Sequence, residues 1–198
     1  MDNDINKLKT WQKLGIACLI IVISGFVGWL VEFMFYYIDH GKLHWKGGNF
    51  LPWINIYSIG SFLILEFTHK HWKKPLNVFM ISVLSAGLLE FLTGFVLFEY
   101  FGIRYWNYEN EFLNIGGYIC LLSLLCMGIG GIVLVYFILP MLIKLSEIIP
   151  KNIFLTESIL LFLLVFSDEI YNFFITKIFD LPRAIDVYNN IFINTIFK

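Results

Sequence analysis

Five long apolar runs, separated by short polar segments, dominate the pattern of hydrophobic and polar positions. They cover residues 14–38, 51–68, 76–101, 115–143 and 153–178. An α-helix needs about 20 predominantly apolar residues to cross the hydrocarbon core of a bilayer, so each run predicts a transmembrane helix. Pro52 near the start of the second run suits a first helical turn, and Pro140 in the fourth predicts a kink or a helix end.

The segment after the fifth run, residues 180–198, interleaves apolar residues with Asp, Arg and Asn. This mixture is typical of a segment that lies at the membrane interface. The sequence shows no internal repeat, low-complexity tract or linker. We therefore expect residues 1–198 to form a single all-α integral membrane domain. It would be a polytopic bundle of five transmembrane helices with short loops and an interfacial C-terminal segment.

The composition supports a membrane setting and excludes several other classes. The chain is 59% hydrophobic and only 15% charged, whereas soluble domains are about one-quarter charged. Its net charge of −1 and lack of a basic stripe give no support for a nucleic-acid partner, and the expected surroundings are the lipid bilayer. Three cysteines in apolar runs argue against a disulfide framework or a zinc site. The first run is too long for a signal peptide, so it predicts an uncleaved span.

The distribution of lysine and arginine predicts the orientation, because cytoplasmic loops carry an excess of both. With a cytoplasmic N-terminus, eight basic residues fall on the inside: Lys7, Lys9, Lys13, Lys70, Lys73, Lys74, Lys144 and Lys151. The two outer loops carry Lys42, Lys46 and Arg104. The C-terminal tail opposes this bias with Lys177, Arg183 and Lys198. We expect a multi-pass protein of the cell membrane with its N-terminus in the cytoplasm.

Seven carboxyl groups lie within the apolar runs, and four of them lie away from the run ends: Glu32, Glu90, Asp168 and Glu169. A charge at the bilayer centre costs about 3 kcal/mol on insertion scales, so such groups face other helices or a polar cavity. On the third run, Glu90 shares one helical face with Ser82, Ala86, Gly87, Thr93 and Gly94, opposite a face of Leu84, Leu88, Phe91, Leu92 and Phe95. Small residues allow close helix packing, so this face is predicted to point inward.

The first run repeats this arrangement, and the fifth collects polar and apolar residues on one face. Glu32 shares a face with Gly25, Gly28, Trp29 and Tyr36, and the fifth run places Glu157, Leu161, Leu164, Asp168 and Asn172 together, beside Glu169. In the expected orientation, the four carboxyl groups lie at or outward of mid-membrane. We expect the first and third helices to pack directly through Gly25, Gly28, Gly87 and Gly94. Glu32 and Glu90 would then share one interior cavity.

Three interpretations of these carboxyl groups remain open. In the first interpretation, the carboxyl groups are protonated and serve only to hold helices together by hydrogen bonds. They could instead line a polar pocket for a cation, a proton or an amine-bearing ligand, since neighbouring carboxylates repel each other unless they share a proton or a cation. In the third interpretation the helices keep the groups apart. The tryptophan and tyrosine residues of the outer loops fit an aromatic belt, or a lid formed in part by Trp106 and Tyr108 over an acidic pocket.

Two motifs in residues 20–140 resemble the putative ABC-transporter type IV membrane family. The first consists of a membrane-embedded Glu32, a short glycine-containing loop and a Pro-x-x-x-x-Tyr-x-x-Gly pattern at Pro52, Tyr57 and Gly60. The second consists of Glu90, Gly94, Trp106, Tyr108, Asn114, Gly117 and Cys120. Asn107 stands where the family typically has Asp, and the first loop has His-Trp-Lys-Gly-Gly where an Arg-Gly is usual. Residues 150–198 are expected to extend beyond the pattern.

This resemblance implies a small polytopic transporter permease. The sequence contains no G-x-x-x-x-G-K-[ST] loop, so an ATP-driven mechanism would require a separate ATPase or another membrane subunit. The candidate ligand-binding residues are Glu32, Glu90, Asp168, Glu169, Tyr57, Trp106, Tyr108 and Asn114. The cofactor and any metal stay unknown. His40 and His44 could bind a metal if they shared one helical face, but Gly41 between them favours a loop.

The favoured function is a membrane transport component, a permease or substrate-binding membrane subunit, with an outward-leaning acidic intramembrane pocket for a cation, a proton or a cationic solute. One alternative is an intramembrane enzyme that acts on a lipid or isoprenoid. This enzyme interpretation is disfavoured because no Ser-His, His-Glu-x-x-His or Asp-rich motif occurs. The other alternative is a structural accessory membrane subunit.

Overall fold

The computed structural model describes residues 7–196, and their regular secondary structure is helical. The helices are α1 (Thr10–His40), α2 (Asn55–Thr68), α3 (Pro75–Phe101), α4 (Leu121–Val133), α5 (Leu139–Ile148), α6 (Lys151–Ile170), α7 (Thr176–Phe179) and α8 (Ala184–Ile196). A 3₁₀ turn, His69–His71, follows α2, and π-helical turns Leu134–Ile138 and Tyr171–Ile175 join α4 to α5 and α6 to α7. An isolated bridge pairs Ile115 with Ile119, and the described residues form no strand. The all-α prediction is confirmed.

Three helical segments in the described residues, not five, are long and apolar enough to cross a membrane: Thr10–Ile38, Pro75–Phe101 and Leu121–Ile148. The second apolar run forms only the 14-residue helix α2. At 1.5 Å per residue α2 is about 21 Å long, short of the roughly 30 Å hydrocarbon core. Helix α6 has 20 residues but carries Glu157, Asp168 and Glu169, too many charges for a span of this kind. The prediction of five spans is therefore wrong for these two runs.

Pro52 does not lie in a first helical turn, and Pro140 does not end its helical segment. Helix α2 begins at Asn55, so Pro52 lies in the preceding loop rather than in a first helical turn. Pro140 lies near the start of α5, and the helical segment continues to Ile148. The π-helical turn directly before Pro140 is the kind of local adjustment that accommodates the hydrogen bond proline cannot donate.

The described chain divides into two compact units. Unit 1 contains Ile59–Ile148 and residues 7–9, and unit 2 contains Thr10–Ser58 and the described residues from Ile149 onward. In unit 1, α3 packs against α4, and in unit 2, α1 packs against α6. Helix α3 begins with Pro75 at its first position, where the missing N–H removes no helical hydrogen bond. Gly102, which follows its last residue Phe101, has the left-handed conformation that commonly ends a helix.

The predicted inward faces of α1 and α3 are confirmed. Val78, Ser82, Ala86, Gly87 and Glu90 are the buried positions of α3, whereas Leu84 and Leu88 on the opposite face are 67% and 59% exposed. On α1, Gly25, Gly28 and Trp29 are buried and Glu32 is partly buried. The faces therefore follow the helical period read from the sequence.

The face of α6 that carries Glu157, Leu161 and Leu164 is not its buried face. Its buried positions are Phe154, Ser158 and Val165, and Asn172 is buried in the following turn. Glu157, Leu161 and Leu164 of the predicted face are exposed. The buried positions are spaced by four and seven residues, as expected for one helical stripe, but this stripe is rotated from the predicted one.

The glycines expected to join the first and third helices lie against other side chains. A methyl group at Gly25 would overlap the Trp53 indole, and one at Gly28 would overlap the Tyr57 ring. Similarly, Gly87 faces Leu124, and Gly94 faces Trp106 and Tyr118. The small residues therefore accommodate large side chains of their own unit. Because the first and third helices belong to different units, their direct packing stays a prediction.

Candidate functional site

In unit 2, a tyrosine at the start of α2 binds the membrane-embedded carboxyl group of α1. The Tyr57 hydroxyl donates a hydrogen bond of 3.0 Å to Glu32 Oε1. Gly28 lies one turn before Glu32, and its missing side chain leaves the space that the Tyr57 ring occupies. Gly28 and Glu32 lie four residues apart on one face of α1, so the same face contacts the ring of Tyr57 and binds its hydroxyl group.

Polar bonds to the backbone of α1 fix the approach of Tyr57 to Glu32. The Trp53 indole Nε1 and the Ser58 hydroxyl both donate to the carbonyl of Ile21, over 2.9 Å and 2.7 Å. The backbone N–H of Ile54 donates to the carbonyl of Gly25 over 3.1 Å. The residues on both sides of Tyr57 are therefore attached to α1, which leaves its ring little freedom to move from Glu32.

The two acidic residues at the end of α6 hold the loop that leads to Tyr57. Asp168 accepts hydrogen bonds from the backbone N–H groups of Phe50 (3.1 Å to Oδ1) and Leu51 (2.6 Å to Oδ2). Glu169 accepts from the side-chain amides of Asn49, over 2.8 Å, and Asn55, over 2.9 Å. Asp168 thus binds two residues before Pro52, Glu169 binds one residue on each side of it, and together they join the loop 41–54 to α6.

Asn172 extends this attachment in both directions along the chain. Its amide Nδ2 donates to Asp168 Oδ1 over 2.8 Å, and its Oδ1 accepts from the backbone N–H of Ala184 over 2.9 Å. Asp168 therefore accepts three hydrogen bonds, which satisfy most of its acceptor capacity. Asn49 and Asn172 were not among the candidate site residues. The position of Asn172 on the same helical face as Asp168 was the signal for a polar contact.

A group of basic and aromatic side chains lies at the C-terminal end of α1, one turn beyond Glu32. The Lys46 ammonium lies 4.1 Å from the centroid of the Tyr36 ring, and the rings of His40 and His44 are 4.2 Å and 5.0 Å from it. Burial lowers the pKa of Lys46, while the negative charge of Glu32 opposes this shift. Burial, followed by the charges of Lys46 and His40, also lowers the pKa of His44.

Unit 1 contains a second pair of the same composition. The Tyr108 hydroxyl donates a hydrogen bond of 3.0 Å to Oε1 of Glu90, a residue only 8% exposed. The loop 102–120 supplies Tyr108, as the loop 41–54 and the start of α2 supply Tyr57. Trp106, two residues earlier, packs against Gly94, one turn beyond Glu90, and donates from Nε1 to the carbonyl of Tyr118 over 2.9 Å.

The loop 102–120 is held by bonds between its own residues. Arg104 forms an ion pair of 2.8 Å with Glu109 and donates to the carbonyl of Gly116. Asn114 donates to the carbonyls of Glu109 and Glu111 and accepts from the N–H of Gly117, where the backbone has a positive φ of 72°. Asn114 and Trp106 thus shape the loop that presents Tyr108, whereas neither makes a hydrogen bond to Glu90 in the described structure.

Tyr118 closes the loop 102–120 against the end of α3. Its hydroxyl donates to Glu99 Oε1 over 2.5 Å, and this hydrogen bond raises the pKa of Tyr118. The Arg104 guanidinium lies 4.6 Å from the centroid of Phe98, on the same end of α3. The loop is therefore fastened beside Glu90 by both aromatic and charged contacts.

The structure thus brings the predicted site residues together in three groups. Glu32 meets Tyr57, Glu90 meets Tyr108, and Asp168 and Glu169 meet the loop 41–54. Because Glu32 and Glu90 belong to different units, their predicted shared cavity stays a prediction. Among the described residues, no three histidine, cysteine or acidic side chains are placed to hold a metal ion.

Apolar helices of spanning length with carboxyl groups on their buried faces define a helical integral membrane protein. The family comparison agrees with this class, since the model for the putative ABC-transporter type IV family matches residues 19–173. The chain belongs to this family. The match includes α6, which was expected to extend beyond the family pattern. No curated protein and no solved structure matches the chain.

Proposed function

We propose that the protein is a membrane transport component whose Glu32 and Glu90 carboxyl groups bind a proton, a metal cation or a cationic solute. The observation that carries this proposal is the repeated Glu–Tyr pair, with a hydroxyl-to-carboxyl distance of 3.0 Å in each unit. A phenol is a neutral donor, so it orients the carboxyl group without cancelling its charge. Family membership and the three spanning helices fit a transport role.

The glutamates of the two Glu–Tyr pairs differ from the acidic residues of α6 in how their negative charge is stabilised. Asp168 receives two backbone N–H groups and an amide, which are permanent parts of the fold. Glu32 and Glu90 lie on spans, where an ionised carboxylate is expensive. Binding a proton or a cation lowers this cost, so both side chains favour uptake of positive charge from an aqueous phase.

We further propose that the N-terminus is cytoplasmic and that any ATP-driven step uses a separate subunit. The basic residues Lys70, Lys73 and Lys74 would then lie on the cytoplasmic side, between α2 and α3. The sequence has no phosphate-binding loop of its own. The family supports association with other transport subunits of the membrane.

Infrared difference spectroscopy of the protein in lipid nanodiscs tests the binding proposal. Spectra are recorded between pH 8 and 5, and then with Na⁺, K⁺ or n-butylammonium replacing choline. Bands of carboxyl groups that bind a proton or a cation should be lost in E32Q and E90Q, because glutamine keeps the shape but cannot titrate. E157Q is the matched control, since Glu157 is exposed on α6. Unchanged difference spectra in the folded double variant E32Q/E90Q would overturn the proposal.

A further inference from the structure

The Glu32 site contains a positively charged group supplied by the protein itself. The Lys46 ammonium lies over the Tyr36 ring, 4.1 Å from its centroid. Tyr36 follows Glu32 by four residues, so both side chains project from the same face of α1. Lys46 comes from the loop 41–54, which α6 fastens beside this face. An aromatic face, a carboxyl group and an ammonium ion are therefore assembled at one place.

These surroundings have the chemistry that recognises an alkylammonium ion. The negative face of an aromatic ring attracts ammonium groups within about 6 Å of its centroid, and aromatic sites for amine ligands use this interaction. Glu32 contributes the opposite charge, and Tyr57 orients it through the 3.0 Å hydrogen bond. Partial burial lowers the pKa of Lys46, and the negative charge of Glu32 opposes this shift.

We propose that the Glu32 site binds a primary alkylammonium ion and that the Lys46 side chain occupies it as a tethered competitor. This inference rests on the proposed function, because it names the ligand class of one of the two carboxyl sites. A competitor on a short loop acts at an effective concentration in the millimolar range. A free amine must therefore displace Lys46 before it can bind between Tyr36 and Glu32.

Substitution K46M tests this inference, because methionine keeps an unbranched apolar stem and removes the ammonium. The probe is n-butylammonium, which corresponds to the lysine side chain cut free from the backbone. In isothermal titrations at constant ionic strength, we expect K46M to bind it roughly tenfold more tightly than the unsubstituted protein. The double variants K46M/E32Q and K46M/Y36L should lose this gain. Neutral n-butanol should bind neither protein measurably.

Lys42 provides the matched control, since it is an exposed lysine of the same loop. K42M should bind n-butylammonium like the unsubstituted protein. An equal gain in K42M would overturn the inference, because loss of any loop charge would then explain it. No gain in folded K46M would also overturn it. In that case, loss of the Glu32 carboxyl signal in E32Q would still support the proposed function, so the two failures are distinguishable.

A measurement on the unsubstituted protein covers the case in which K46M does not fold. Lysine amines are dimethylated with ¹³C-formaldehyde and observed by NMR, with K46R identifying the signal of Lys46. A methylammonium group over an aromatic ring is shifted upfield, and n-butylammonium should move this signal toward the position of exposed lysines such as Lys42. A Lys46 signal without an upfield shift, or one that n-butylammonium leaves in place, would contradict the inference.

Discussion

The loops that lead to the two Glu–Tyr pairs reach the same local geometry by different means. In unit 1, the loop 102–120 is closed by bonds between its own residues, such as the Arg104–Glu109 ion pair. In unit 2, the loop 41–54 is fastened by Asp168 and Glu169 of α6, more than 110 residues further along the chain. Each tyrosine hydroxyl nevertheless lies 3.0 Å from its carboxyl oxygen.

The difference separates the carboxyl groups that we propose to bind a ligand from those that accept hydrogen bonds from a loop. Asp168 and Glu169 were candidates for ligand binding, but their oxygens accept hydrogen bonds from the loop beside Glu32. We propose that they are positioning residues, which hold Tyr57 and Lys46 beside Glu32, while direct ligand binding by either of them stays a prediction. In the loop of unit 1, Asn114 and the glycines fix the turns, and a carboxyl group outside the loop, Glu99 of α3, accepts a hydrogen bond from Tyr118.

The largest expected effect comes from removing the attachment of the loop 41–54. D168A deletes the acceptor of three hydrogen bonds and leaves the N–H groups of Phe50 and Leu51 without it. Hydrogen bonds to charged groups contribute about 1.5–3 kcal/mol each, so we expect the free energy of unfolding to fall by about 3 kcal/mol. Denaturation in detergent measures this change, and hydrogen exchange should increase in residues 49–54.

Asp186 offers a control for this prediction, because it pairs with Arg183 on the exposed surface of the same unit. D186A should change stability by less than about 1 kcal/mol, as is usual for exposed ion pairs. Hydrogen exchange of residues 102–120 should stay the same in D168A. Equal exchange increases in both loops would show that Asp168 supports the whole fold and would refute the contrast between the loops.

An intermediate effect is expected from the glycines that face the two loops. In G28A the added methyl group would overlap the ring of Tyr57, whereas in G94A it would lie 3.2 Å from the nearest carbon of Trp106, a tight but adjustable contact. Overpacking costs about 1–3 kcal/mol, so we expect that loss in G28A and a smaller one in G94A. Thermal unfolding of both variants measures it, with G130A as control because open space surrounds Gly130.

A result in which G94A is the more destabilised variant would contradict this ranking. The hydrogen bond of Glu32 can also be measured directly in both variants, because the added methyl group in G28A must push the Tyr57 ring away from Glu32. The infrared band assigned to Glu32 should shift in G28A and remain in place in G94A. An unshifted band would mean that the ring relocates without breaking its hydrogen bond.

The sequence predicted the inward faces of α1 and α3 because helical periodicity alone determines them, and Glu32 and Glu90 follow from it. The family motifs also named Tyr57 and Tyr108 as candidate site residues, but not their hydrogen bonds to Glu32 and Glu90. The sequence could not predict the start of α2 at Asn55, because Asp168 binds the preceding backbone from a distant part of the chain. The apolar run 51–68 therefore appeared as one span, although its first residues are held in a loop.

The buried face of α6 was not predicted, for a different physical reason. Helical periodicity places Glu157 and Asp168 on one face, but it does not say which face is buried, and α6 is too charged for a span. Its buried stripe instead runs through Phe154, Ser158 and Val165. Asp168 lies beside this stripe, since its partners are loop amides rather than other carboxyl groups. Only tertiary contacts could reveal that arrangement.

The smallest expected effect is a pH dependence confined to the loop of unit 1. Hydrogen bonds from Asn107 and Arg104, together with the Arg104 charge, lower the pKa of Glu109 from its ordinary value of 4.5. A carboxyl group with a lowered pKa in the folded state stabilises that state above pH 4.5, and this contribution is lost as the pH falls through 4.5 to the lower folded value. The Trp106 signal of 5-fluorotryptophan-labelled protein, observed by ¹⁹F NMR, should therefore shift below pH 4.5. E109Q should remove this shift and E111Q should retain it, whereas an E109Q protein that still titrates would locate the acid-sensitive group elsewhere.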